Sequence, residues 1–377
     1  MNRIYLDHAA TSPMHPEVAE TFSEALLTVF GNPSSIHGTG RTARKTLDDA
    51  RRVFAASIHA DDPEIIFTSG GTEADNMAIF GTAAKKDGKH IITSQIEHHA
   101  VLHACEKLER EGYEVTYLPV DEKGLVRAED VKKALRDDTI LVTIMLGNNE
   151  VGTVQPIAEI GELLKDTDVT FHTDAVQAYG VLPIDVEALN VDLLSVSAHK
   201  LNGPKGIGFL YQRKGTPLSP ILFGGEQERK RRAGTENVPA IAAFAKAVEI
   251  SLATMDERAA AYSNYKQIFK SVLTNEGIEF SENGSNQMPH VLNLSLPGID
   301  IESFLVNLDI AGVSASSGSA CTAGSIDPSH VLVAMFGEKA EQLRNSIRFS
   351  FGIGLTEQQI TEAAEMTAQI SKRLALL

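Results

Sequence analysis

From about Glu64 onward, short runs rich in β-branched and apolar residues alternate with stretches of helical period. EIIFTSG leads into TEADNMAIFGTAAKK, HIITS into HHAVLHACEKLEREG, and TILVTIMLG into PIAEIGELLKD; VTFHTDA and VDLLSVSAH add two further strands. Strands that alternate with helices build a mainly parallel sheet covered on both faces, an α/β fold. In such sheets ligands bind where the strands' carboxyl ends open into a crevice. Polar clusters follow those ends here: Ser69-Gly70-Gly71-Thr72, Glu97-His98-His99, Asn148-Asn149-Glu150, Asp174 and Ser197-Ala198-His199-Lys200. Five polar strand ends converging on one crevice predict a single site.

A long helical pattern, roughly 239–275, leads away from this unit. Beyond it come HVLNLSLPG, a helix near 302–309, a loop, SIRFSFG and a closing helix, which read as a smaller α+β domain. A chain of 377 residues exceeds one small core. The expected organisation is a large domain over 14–257 and a small one made of 1–13 and 258–377. No apolar run approaches the ~20 residues of a membrane span, and MNRIYLDHAATSP lacks the apolar centre of a secretory signal. Two cysteines exclude a disulfide framework and point to a reducing cytoplasm. The net charge of −16 argues against direct nucleic-acid binding and against anionic membranes. The local exception, Glu228-Arg229-Lys230-Arg231-Arg232, reads first as a solvated loop.

Each strand-end cluster has an ordinary reading beside a chemical one. TSGGTEADN could be a tight turn capped by Ser69 or Thr72; its glycines and the following helix N-terminus would equally cradle an anion. In SAHKLNGPKGIG, Lys200 adjoins Ser197 and His199, and a lysine at a strand exit can serve as a Schiff-base amine. Lys205 in the same turn is its rival. Asp174 could be an N-cap, or it could accept a hydrogen bond from a protonated pyridine nitrogen. His98 and His99 are adjacent and so diverge on a helix; no metal site is expected, and one imidazole acting on a ring or a proton fits better. Arg348, inside the apolar strand SIRFS, would suit bidentate carboxylate recognition. Cys105 lies among apolar neighbours at helical spacing and reads as core. Cys321, by contrast, sits in SSGSACTAGS, a run of small polar residues that reads as a mobile loop. A thiol on a tether suggests one that travels to do chemistry.

Taken together, YLDHAAT, TSGGTEADN, EHHAVL, NNEVGTVQPI, DAVQ, SAHKLNGPKGIG, RAGTENV, SSGSACT and SIRFSFG resemble the cysteine desulfurases of the NifS/IscS type, within the class V aminotransferase superfamily and fold type I. The likeness runs over nearly the whole chain. It implies that Lys200 carries pyridoxal 5′-phosphate as a Schiff base, with Asp174 on the pyridine nitrogen, Gln177 on the ring hydroxyl and His98 stacked on the ring. Gly71, Thr72, Ser197 and His199 would hold the phosphate, and Thr235 would reach the phosphate of a neighbouring subunit in a homodimer. Asn149 and Arg348 would grip the carboxylate of L-cysteine. Cys321 would take the sulfur as a persulfide, leaving L-alanine, with Lys200 and His98 moving protons.

The alternatives are a selenocysteine lyase or a class V aminotransferase with the same cofactor, or a sulfur-relay protein whose cofactor site has decayed. The sulfur acceptor would be a tRNA thiouridylase or an iron–sulfur scaffold protein. The closing helix ends without the longer relatives' tail, and its apolar face is expected to serve the small domain's own core. The basic run Arg229 to Arg232 would then suit an acidic patch on the acceptor.

Overall fold

The computed structural model describes residues 3–285, 288–317 and 328–375. Its largest sheet has seven strands in the order Ile65–Thr68, Gly208–Gln212, Leu193–Ser197, Thr170–Asp174, Thr139–Thr143, His90–Ser94 and Glu114–Leu118. Every residue of the interior strands except Gln212 is buried, because helices such as Gly71–Ala83, His99–Glu109 and Ile157–Leu164 cover the sheet. Six strands run parallel. Gly208–Gln212 alone is reversed, pairing antiparallel with both Ile65–Thr68 and Leu193–Ser197. The turn that follows Lys200 is too short for a crossover helix, so the chain can only double back.

Two helices that the alternating pattern did not announce, Pro16–Thr28 and Gly38–Ser57, pack on Val238–Ala253. Phe54, Phe209 and Phe244 meet among them, with ring centroids 4.6 to 6.1 Å apart. The long helical pattern resolves into Val238–Ala253 and Met255–Asn275, bent by 69°. Arg258 braces the bend by donating to the Ser251 and Gly180 carbonyls and to Thr254 Oγ1. Phe244 and Val248, before the bend, join the core beneath the large sheet. Phe269 and Leu273, after it, join a second core with Leu6, Leu292, Phe304, Phe349 and Ile360.

That second core underlies a three-stranded antiparallel sheet of Ser281–Asn283, Val291–Ser295 and Ser346–Ser350. The start of the chain belongs with it, since Ile4–Tyr5 pairs with Val313–Ser314. The closing helix Glu357–Leu374 spends its apolar face there, burying Ile360, Ala363, Ala364, Ala368 and Ile370. Helix His330–Phe336 ties the two units together by packing Val331, Leu332 and Met335 on Ile96 and Val151. Among the described residues no single helix is long and apolar enough to cross a membrane.

Candidate active site

A cavity of about 380 Å³ opens at the carboxyl ends of the large sheet. Three sources line it. The sheet and its helices contribute Gly71, Thr72, Asp75, His98, Asn149, Asp174, Gln177, Ser197, His199 and Lys200; the N-terminal segment adds Ala9 and Ala10; the smaller unit adds Ser316 and Arg348. Each of the five strand-end clusters singled out in the sequence therefore sends at least one residue to one place, while Ser69, Glu97, His99, Asn148 and Glu150 do not line it. Thr235 stands apart, exposed on the surface, and Cys321 lies outside the described residues. Cys105 is a buried free thiol whose burial raises its pKa.

Lys200 ends a short helical turn, Ala198–Lys200, directly after a sheet strand. Its Nζ donates to the carbonyls of Ala9 and Ala10 at 2.6 and 2.8 Å. Burial and the charge of Arg348 pull its pKa down to about 8, against the opposing pull of Asp174 and Asp7. Lys205 lines a different cleft, with Arg3 and His8. Asp174 accepts from the Val176 N–H at 2.8 Å, and burial raises its carboxyl to about 6. Gln177 donates from Nε2 to the Ala9 carbonyl at 2.8 Å.

His98 caps helix His99–Glu109, its Nδ1 accepting from the Ala100 N–H at 3.1 Å, so Nε2 carries the proton of the neutral ring. Desolvation by the surrounding protein, then the charge of Lys200, lowers its pKa to about 4. His199 is lowered to about 4 for the same two reasons and meets Thr11 Oγ1 at 3.1 Å. The glycines mark a close approach. Gly70 has φ 149°, and a Cβ on Gly71 would stand 2.7 Å from Val176 Cγ2. The turn is thereby held tight against Val176, and Gly71 and Thr72 line the cavity at the N-terminus of helix Gly71–Ala83.

Arg348 is buried and already half engaged. Its Nη1 donates to the Asn149 carbonyl at 2.8 Å and its Nη2 to Asp7 Oδ1 at 2.7 Å, while Nε is buried without a partner. Two acidic residues escaped notice in the sequence. Asp7 lies in the quoted YLDHAAT, but only the fold brings residue 7 to residue 348. Asp75 lies in the quoted TSGGTEADN and carries a buried Oδ1 with no hydrogen-bond partner. Burial and then Asp174 push its carboxyl far above the usual range.

The basic run does not form the open patch expected of it. Arg231 donates to the Glu228 carbonyl and to Gln212, and Arg232 forks onto Glu73. Of the four cations, only Arg229 and Lys230 have exposed side chains, and Lys230 pairs with Glu226 at 3.0 Å.

The sequence pattern of the family described as aminotransferase class-V matches residues 4–362. The chain belongs to that family. Among class V relatives, the IscS 1 protein of Bacillus subtilis (strain 168) is 62% identical over 99% of this chain and 100% of its own length. The cysteine desulfurase IscS of Dictyoglomus turgidum is 47% identical over 98% of this chain and 95% of its own. A solved structure titled NifS-like protein superposes with a TM-score of 0.91 at 35% identity, covering 100% of both chains. Class V enzymes of this kind depend on pyridoxal 5′-phosphate. The residues fit that group: an amine with a lowered pKa, a buried carboxylate, and a glycine turn at a helix N-terminus stand around one cavity.

Proposed function

We propose that this protein is a cysteine desulfurase that converts L-cysteine to L-alanine and passes the sulfur to Cys321. The observation that carries the proposal is the pairing of Lys200 with Arg348 across one cavity. A reactive amine and a fixed guanidinium are what an α-amino acid substrate requires. The family's cofactor, when bound, supplies an electron sink that weakens bonds at the substrate's α and β carbons. Lys200 would hold it and, with its pKa lowered to about 8 so that about half of the amines are neutral at that pH, take the α-proton. Asp174 would sit against its pyridine nitrogen, Gln177 against its hydroxyl and His98 on its face. Gly71, Thr72, Ser197 and His199 would receive its phosphate.

Arg348 is pinned by Asp7 and Asn149 and lines the cavity beside Asn149, where its guanidinium would meet the substrate carboxylate. A solved relative titled "SspA in complex with cysteine", 37% identical with a TM-score of 0.81, supports the substrate. In the transfer step a sulfur–sulfur bond forms from the Cys321 thiolate as the substrate's Cβ–S bond breaks. The electron pair of that bond stays with the three-carbon skeleton, which gains a proton and leaves as alanine. A tRNA thiouridylase or an iron–sulfur scaffold protein would then take the sulfur in the cytoplasm. A homodimer is favoured by the exposed Leu27, Phe30, Ile36 and Phe223 and by the outward position of Thr235.

The test is to supply L-cysteine and a thiol reductant and to quantify products. Alanine and sulfide in equal amounts are expected. A keto acid without sulfide would establish transamination instead, and selenocysteine turned over to the exclusion of cysteine would establish a lyase.

A further inference from the structure

Glu73 lies in the first turn of helix Gly71–Ala83, two residues past Gly71. An acid there suits the helix dipole. It also places a negative charge beside the spot where the cradle would receive a phosphate, another anion. Arg232 answers it with a bidentate fork, Nε to Oε1 at 2.7 Å and Nη2 to Oε2 at 3.1 Å. The Ser69 N–H donates to Oε2 at 2.7 Å, so the same carboxylate also holds the turn before the helix. The side chains are only 21% and 12% exposed, and a charge pair so placed is weakly screened by salt.

Arg232 is not free to swing away. Glu228, Arg229 and Lys230, just before it, all adopt left-handed φ values of 46°, 57° and 67°. Such a run persists only where the surroundings over-determine it. Here the buried Glu228 carboxylate takes two bonds from Arg51, at 2.9 and 2.6 Å, and a third from the Phe67 N–H at 3.1 Å. Phe67 belongs to the strand that leads into the glycine turn. One segment is thereby clamped at two points to the strand and the helix that flank the cradle.

We infer that Arg232 is a positioning residue of the cofactor site: it cancels the charge of Glu73, the side chain that holds the turn before the helix, so that a phosphate dianion can bind. This rests on the reading of the cavity as a pyridoxal phosphate site. It also gives the basic run, which the expected docking role leaves unexplained, a role inside the molecule.

The experiment compares affinities of the full-length protein, freed of cofactor, for pyridoxal 5′-phosphate and for pyridoxal, which lacks the phosphate. Arg232→Gln should weaken binding of the phosphate ester about tenfold, as expected for one uncompensated charge at this range, and leave pyridoxal unchanged. The double variant Glu73→Gln/Arg232→Gln removes both charges and should return the affinity to within about threefold of the original. A double variant as weak as the single one, or an equal loss for both ligands, overturns the inference. Glu73→Gln alone serves if Arg232→Gln fails to fold. It leaves the cation uncompensated and should tighten the phosphate ester severalfold, whereas unchanged or weaker binding overturns the proposal. Should the unmodified protein bind both ligands equally, the phosphate cradle itself falls, and that outcome is distinct from a failed rescue.

Discussion

At the scale of single residues, the chemistry rests on how burial changes ordinary side chains. Lys200 is the clearest case. A lysine amine ordinarily titrates near 10.5, and here burial and Arg348 bring it to about 8. The folded protein therefore releases this proton earlier than the unfolded chain, and the amine becomes nucleophilic as pH rises through about 8. Capture of pyridoxal 5′-phosphate by the cofactor-free protein should accelerate across that range, with no second rise near 10.5. Asp174 holds the proton on, so Asp174→Asn should move the midpoint lower still. Lys200→Ala should abolish the absorbance of lysine-bound cofactor, while Lys205→Ala, altering a residue of another cleft, should preserve it; stopped-flow absorbance reads all three variants. Lys200 and Asp174 were legible because Asp174 ends a strand and Lys200 closely follows one in an α/β pattern. Asp7 was not. Its partner stands 341 positions away, and no local spacing encodes that encounter.

Elements were legible to the extent that their signal is periodic. Five of the six strands from Ile65 to Ser197 follow from alternating β-rich and helical runs; the edge strand Glu114–Leu118, with one buried residue of five, and the short helix Ala128–Ala134 did not announce themselves. The reversal of Gly208–Gln212 carries no such signal, since a buried strand has the same composition in either direction. The bend at Thr254 was hidden for a related reason: both arms are helical, and the break is made by Arg258 reaching carbonyls far apart in sequence. The left-handed turn at Glu228 to Lys230 contradicts its composition most sharply, since none of its residues is glycine or asparagine. Tertiary contacts impose it, so the contacts should be indispensable. Arg51 and Glu228 have side chains 9% and 2% exposed. Glu228→Ala would strand a buried guanidinium and should cost about 3–5 kcal/mol of stability. Urea unfolding should show the midpoint falling with an unchanged slope, and a loss below about 1 kcal/mol would mean that the turn does not depend on the pair.

For the molecule as a whole, the cavity at the sheet ends is lined by parts that fold into different cores. The sheet ends bring Asp174 and Lys200, the smaller unit brings Arg348, and the N-terminal segment supplies the carbonyls that hold Lys200. Thr235 is left facing outward, three residues beyond the clamped Arg232 and away from its own chain's cavity. The exposed apolar side chains Leu27, Phe30, Ile36 and Phe223 are the kind of surface that a second copy would cover. If Thr235 completes the phosphate site of a partner, the two sites of a dimer depend on each other in a way that mixing can expose. A dimer of one Lys200→Ala subunit with one Thr235→Ala subunit has a site carrying both defects and another carrying neither. Unfolding and refolding the two variants together should therefore yield sites that bind pyridoxal 5′-phosphate as tightly as the unmodified protein. Neither variant refolded alone should contain such sites. A random mixture places half of all dimers in the mixed class, and one site in each mixed dimer is intact, so about a quarter of the sites should show the original affinity. Were Thr235 to act within its own chain, the mixed dimers would pair two defective sites and no fraction of original affinity would emerge.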